Sequence, residues 1–185
     1  SNTKYTLMGS IRSISQMISY ELVVAVILAC IFLCSGSLNL TRIVISQQYI
    51  WYCIPLFPLF IIFLIALLAE CNRHPFDLPE AEGELVSGFN TEYTAMGFAL
   101  FFIGEYGNII VMSTLISILF CGGWLPLFHL TFIPGVIWLA LKICVFICFY
   151  VIVRGAYVRF RYDQLMHICW NSLLPICFGC FICIA

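Results

Sequence analysis

Five long apolar runs govern what this sequence can become, because about 20 residues of helix cross the ~30 Å hydrocarbon core of a bilayer. The first rises from a polar lead-in and extends from about Ile14 to Ser35, around "LVVAVILACIFLC". The second, Tyr49 to Ala69, carries no charge. A third covers about Thr94 to Phe120 and a fourth about Thr131 to Val153, each with one ionisable residue near its middle; the fifth occupies Leu165 to Ala185. Backbone groups facing lipid must be satisfied within their own segment, so runs this continuous predict helices, and the ~10-residue alternation of a membrane barrel is absent. With 63% hydrophobic and 9% charged residues, against about a quarter charged in soluble domains, the chain lacks the polar groups to cover a surface in water. The expected fold is all-α: one polytopic transmembrane domain over residues 1–185, with five membrane helices, an acidic loop at 70–93 and a basic loop at 154–164.

Composition excludes several functions. A net charge of −1 and the lack of any basic track exclude a nucleic-acid partner. Of the 11 cysteines, Cys30, Cys34, Cys144, Cys148, Cys177, Cys180 and Cys183 lie inside apolar spans, where a thiol behaves as a small hydrophobe. "CFGCFIC" contains two Cys-x-x-Cys steps, yet it has no nearby fourth ligand and no loop to wrap an iron–sulfur cluster. The three scattered histidines give no zinc spacing, so no metal is expected. The opening "SNTKYTLMGSIR" has the pattern of neither a cleavable signal nor a transit peptide, and insertion where the chain is made is expected.

Lysine and arginine in short loops favour the side of synthesis. Lys4, Arg12, Arg73, Arg154, Arg159 and Arg161 all fall on one side of a five-span topology, and only Arg42 falls on the other. The acidic and basic loops therefore share the inner face, where they can meet. Tyr49, Trp51, Tyr52, Trp124, Tyr157, Tyr162 and Trp170 stand near span ends, as interfacial aromatics do.

An ionised carboxylate near mid-bilayer costs roughly 2.5–3.5 kcal/mol, so one that persists needs a partner, water or a proton. Glu105, in "FFIGEYGNII", lies about a dozen residues into the third span, and Lys142 sits at a similar depth in the fourth. An ion pair between them that merely pins two helices is one reading; an ion or proton pathway is the other. Glu21 favours the pathway: in "ISYELVV" it opens the apolar core of the first span beside Tyr20, just as Tyr106 adjoins Glu105. Glu70 closes the second span. Carboxylates that burial and like charges make harder to ionise can pass protons near neutral pH, and Glu21, Glu70 and Glu105 with their tyrosines form a candidate polar chain.

Residues 70–93, "ECNRHPFDLPEAEGELVSGFNTEY", hold Glu70, Asp77, Glu80, Glu82, Glu84 and Glu92 against the single cation Arg73. Pro75 disfavours helix at His74, while Asp77 and Glu80 have capping-box spacing with Pro79 in the first turn. A short helix is expected here, its first turns acidic as the helix dipole favours. A solvated acidic helix start accounts for where these charges stand, but not for how many there are.

Four strings, "LMGSIRSISQMISYE", "AECNRHPFDLPEAEGELVSGFNTEY", "FALFFIGEYGNII" and "RFRYDQLMHICWNSLLP", resemble in order and spacing the membrane-heel subunits of respiratory complex I, the NADH:ubiquinone oxidoreductase. The resemblance covers about Leu7 to Pro175, and "SGFNTEY" has the mitochondrial wording. Five of the family's eight helices are accounted for. The first three and a basic Arg-x-Gly-Pro loop are not, and a separate chain carrying them is the expected arrangement, Ser1 being a residue that loss of methionine naturally exposes. Val158 stands where the family's pattern has proline before "RFRYDQ", which bears on how sharply the fourth helix ends.

The resemblance implies a multi-pass protein of the mitochondrial inner membrane, a subunit of a proton-pumping enzyme whose substrate is ubiquinone. The subunit would hold no covalent cofactor and no iron–sulfur cluster. It implies that Arg73, Asp77, Glu80, Glu82, Glu84 and Glu92 border the quinone chamber, and that Glu21, Glu70 and Glu105, with Tyr20, Tyr106 and Lys142, belong to a path coupling quinone chemistry to proton translocation. Arg159, Arg161 and Asp163 would contact the peripheral arm. The implied partners are the other complex I subunits, including the quinone-site and terminal iron–sulfur subunits, and membrane lipids. Two rival readings are an independent ion carrier or channel using Glu21, Glu105 and Lys142, and a scaffold whose charges only fasten helices.

Overall fold

The computed structural model describes residues 4–71, 76, 95–126, 133–158 and 160–185, and every regular element among them is helical. Helix α1, Lys4–Ser35, starts well before the expected Ile14; at ~1.5 Å per residue its 32 residues reach about 48 Å, past a ~30 Å hydrocarbon core. It stops where Gly36 takes φ +66°, a left-handed cap that costs glycine little. Helix α2, Leu40–Ser46, stands in the loop that follows, its first turn capped by Asn39, whose Oδ1 accepts the Thr41 N–H at 3.1 Å. No sequence signal strong enough to predict this short helix precedes it.

The expected second span, Tyr49 to Ala69, is shorter as a helix. Helix α3 is Phe57–Glu70, 14 residues or about 21 Å, with Pro58 in its first turn. Pro55 bars continuous helix through the lead-in, and residues 49–56 fold instead over the end of the helix that closes at Phe120. There the Cys53 N–H donates to the Phe120 carbonyl at 3.0 Å, and the hydroxyls of Ser46 and Tyr52 pair at 2.7 Å.

Helix α4 is Ala95–Phe120 and α5 is Gly135–Ala156. The latter begins behind Pro134 rather than at Thr131, and it ends cleanly at Ala156 because Tyr157 is extended (φ −103°, ψ 144°); the proline missing at 158 is not needed to stop it. The last span is one continuous helix: α6 (Tyr162–Ile168), a π turn (Cys169–Leu173) and α7 (Leu174–Ile184). Pro175 lies in the first turn of α7. Inside a helix its ring crowds the carbonyl four residues back and offers no N–H, and the widened turn relieves both faults. Four segments are long and apolar enough to cross a membrane, Leu7–Ser35, Ala99–Phe120, Gly135–Ala156 and Tyr162–Ile184, with α3 a shorter fifth. The architecture is that of a polytopic helical membrane protein.

Packing centres on α1. Tyr20, Val23, Ile27, Cys30 and Ile31 are fully buried, a stripe of threes and fours that forms one helix face. It meets Phe63, Ala66 and Leu67 of α3, and Leu165, Cys169 and Cys177 of the last helix. Cys30 and Cys177 are free, buried thiols, packing as their apolar settings predict. At the inner end, as the charge rule labels it, Tyr162 and Ser15 hydroxyls pair at 2.8 Å and the Tyr20 hydroxyl donates to the Leu165 carbonyl at 3.4 Å.

At the outer end the buried Gln47 side chain donates to the carbonyls of Ile118 and Leu119 at 3.2 and 3.0 Å and accepts the Gly122 N–H at 2.9 Å. Gly122 and Gly123 both have positive φ, +70° and +50°, and a Cβ on Gly123 would lie 3.0 Å from Val44 Cγ2. Gly123→Ala is therefore expected to lower stability by about 1–2 kcal/mol through left-handed strain and crowding. A thermal melt of the purified protein checks it, and an unchanged midpoint contradicts it.

Candidate functional site

Glu70 is the last residue of α3, where the apolar run gives way to the acidic loop. It is half-buried, and its Oε2 is shielded from solvent without a hydrogen-bond partner among the described residues. It lines a cleft of about 620 Å³ together with Glu105, Gly104, Asn108 and Phe101 of α4. The spacing 101, 104, 105, 108 follows one face of a helix, so α4 turns Glu105 and Asn108 together toward the end of α3. Two carboxylates from two helices thus share one cavity. Glu21 of α1 is exposed and stands near enough to Glu70 to act on it electrostatically, but it does not line that cleft.

The tyrosines are placed differently from their neighbours in sequence. Tyr20 is fully buried, its ring 6.2 Å from Phe76 and its hydroxyl given to Leu165, so it packs the inner end rather than bridging the glutamates. Tyr106 lines a second, narrower crevice of about 250 Å³ with Leu68, Ile147, Tyr150 and Arg154. Tyr150, which nothing in its apolar run singles out, is 6% exposed with its hydroxyl unpaired among the described residues. Cys71 borders both cavities, so they flank the junction of α3 and α4.

Lys142 is not at the depth of Glu105. It lies seven residues from the start of α5 at Gly135, whereas Glu105 lies fifteen residues from the end of α4 at Phe120, a difference of about 12 Å along antiparallel helices. Its ammonium reaches the outer turn instead. There Nζ donates to the carbonyls of Cys121, Gly123 and Leu125 at 2.7, 2.8 and 2.8 Å, and stands 4.4 Å from the centre of the Trp51 ring. All three N–H donors of an ammonium are thereby used, with an aromatic face beside them. Of the two readings of these charges, the Glu105–Lys142 ion pair is not formed: Lys142 is held in this cage, because α5 begins at Gly135 and the glycine turn points its carbonyls inward.

Arg161 and Asp163 are exposed at the start of α6, where the Arg161 N–H donates to Gln164 Oε1 at 3.4 Å and Asp163 occupies the dipole-favoured first turn. Asp163, Gln164 and His167 line an open cleft of about 520 Å³. Arg73, Asp77, Glu80, Glu82, Glu84, Glu92 and Arg159, and the short helix expected after Asp77, lie outside the described residues. Among the described residues no group of three or more His, Cys, Asp or Glu side chains is arranged to hold a metal.

A family model described as NADH dehydrogenase matches residues 1–185. The chain is 55% identical over 179 residues to NADH-ubiquinone oxidoreductase chain 1 of Chondrus crispus, covering 95% of this chain and 55% of that one. To the Arabidopsis thaliana protein of the same name it is 52% identical over 177 residues, covering 94% and 54%. An NADH-quinone oxidoreductase subunit of Magnetococcus marinus is 55% identical over 177 residues, with 95% and 52% covered. The chain spans about half the length of the curated relatives it matches.

Proposed function

Because this chain belongs to the NADH dehydrogenase family, we propose that it is part of a proton-translocating NADH:ubiquinone oxidoreductase of the mitochondrial inner membrane, where it borders the quinone chamber and couples quinone reduction to proton movement. The observation that carries this reading is the cleft shared by Glu70 and Glu105, which opens where α3 runs into the acidic loop. Quinone reduction takes up protons as well as electrons. Electrons come from the iron–sulfur subunit of the peripheral arm, and the residues of this chain answer the change of charge.

Glu70 is the residue that meets that change first, being at the boundary of loop and membrane and electrostatically linked to Glu21. A proton gained at Glu70 removes its repulsion of Glu21 and alters the field at Glu105 across the cleft. Asn108, on the same face of α4, supplies an amide that can donate to or accept from either protonation state. The crevice of Tyr106, Tyr150 and Arg154 has apolar walls, a buried hydroxyl and a cation at its inner mouth, features that suit an isoprenoid quinone with a polar headgroup. Arg161 and Asp163, exposed on the inner face, are the proposed contacts with the peripheral arm.

Infrared difference spectra of the assembled enzyme, quinol-reduced minus oxidised, test the central claim. A protonated-carboxyl band is expected to change on reduction, and Glu70→Gln is expected to remove part of that change. Identical difference spectra in wild type and variant would overturn it.

A further inference from the structure

Gln16 precedes Glu21 on α1 by little more than one helical turn and is 1% exposed. Its Nε2 donates to the Ala69 carbonyl at 2.9 Å and to the Phe76 carbonyl at 3.0 Å. Two carbonyl oxygens can face only the NH2 side of a carboxamide, which fixes how the amide is turned. Ala69 is the penultimate residue of α3, and the last four carbonyls of a helix have no N–H partner within it. A side chain of α1 therefore caps α3 at the residue next to Glu70. The other acceptor, Phe76, is itself gripped: its ring stacks on Phe160 (5.8 Å between centres, 13° between planes) and leans on Tyr20.

We infer that Gln16 is a positioning residue for Glu70, one carboxamide tying the last turn of α3 to Phe76 and to α1 so that Glu70 keeps its place against the Glu105 cleft. The inference rests on the proposed role of Glu70. Its chemistry is specific. A single NH2 provides two donors at one point; a carboxylate in its place would provide none, and an aliphatic side chain would leave two buried carbonyls bare. Displacement of Phe76, which the basic-loop residue Phe160 shares through the stack, is felt at Ala69 through the common donor.

The experiment compares wild type, Gln16→Leu, Glu70→Gln and the double variant in membranes carrying the assembled enzyme, with NADH oxidation by a water-soluble acceptor measuring how much enzyme is present. Each single change is expected to lower quinone reduction per assembled enzyme about tenfold, and the double variant to fall no lower than Glu70→Gln alone, since nothing is left to position. Hydrogen exchange at the Cys71 amide, which donates to the Leu67 carbonyl at 3.0 Å, is expected to quicken about tenfold or more in Gln16→Leu. Multiplying losses in the double variant, or unchanged exchange, would overturn the inference. Wild-type turnover in Glu70→Gln would overturn the role of Glu70 and with it the positioning for that role, while exchange still decides whether the tie exists. Gln16→Asn, which keeps both donors but withdraws them by a methylene, replaces Gln16→Leu where the latter does not assemble.

Discussion

Glu105→Gln is expected to lower quinone reduction and proton uptake by the assembled enzyme about tenfold or more, equivalent to roughly 1.4 kcal/mol on the limiting step. Glutamine has the shape of glutamate and hydrogen-bonds in its place, so α4 should form and the cleft with Glu70 should persist. What it lacks is a charge that can change. A purely fastening role for Glu105 predicts the opposite order of damage, with assembly failing and turnover per assembled enzyme preserved. Native gels, NADH:quinone activity and vesicle acidification, measured on the same membranes, separate the two. Normal pumping with normal turnover would remove Glu105 from the path.

The second large effect is on stability. Lys142→Met keeps most of the side-chain volume but withdraws the cation from three carbonyls at 2.7–2.8 Å. A buried acceptor left bare costs about 1–3 kcal/mol; with the Gly123 contact buried and the other two part-buried, a loss of about 3–5 kcal/mol is expected, a large part of the 5–15 kcal/mol that holds a typical domain together. The measurements are the assembled amount at steady state and the melting temperature of what assembles. Lys142→Arg should rescue poorly, because a planar fork cannot aim its donors at three converging oxygens as an ammonium does. Turnover lost with full assembly and an unchanged melting temperature would return Lys142 to the proton path and refute the cage as its role.

The spans were legible because lipid leaves the backbone a single economical form. Runs such as Thr94 to Phe120 and Thr131 to Val153 announce their helices by length and continuity alone, and the helices observed are Ala95–Phe120 and Gly135–Ala156. The second run misled because hydropathy does not register hydrogen-bonding capacity: Tyr49 to Ala69 is apolar throughout, yet Pro55 and Pro58 confine the helix to Phe57–Glu70. Glu70 and Glu105 could be picked out as charges in the wrong solvent, and they do share a cleft. Their partnership with Tyr20 could not be judged, since neighbours on a helix point about 100° apart and Tyr20 turns into the core. Lys142 looked central because its depth was counted along the apolar run, and a long side chain delivers its charge several ångströms from its own backbone. Gln16 and Gln47 were visible as polar letters in apolar surroundings, but the carbonyls they serve across the fold lie 53 to 72 residues away.

The wide turn in the last helix sets the azimuth of everything beyond it. Leu165, Cys169, Leu173 and Cys177 are all buried, at intervals of four. An ordinary α-helix would carry such a series round by about 40° per step, and the seam against α1 would spiral off. The π turn at Cys169–Leu173 winds the series back, so both halves of the helix keep the same side toward α1. Removing a single residue there would leave a regular helix whose distal half faces elsewhere, so this short stretch acts as an indexing notch for the whole distal half.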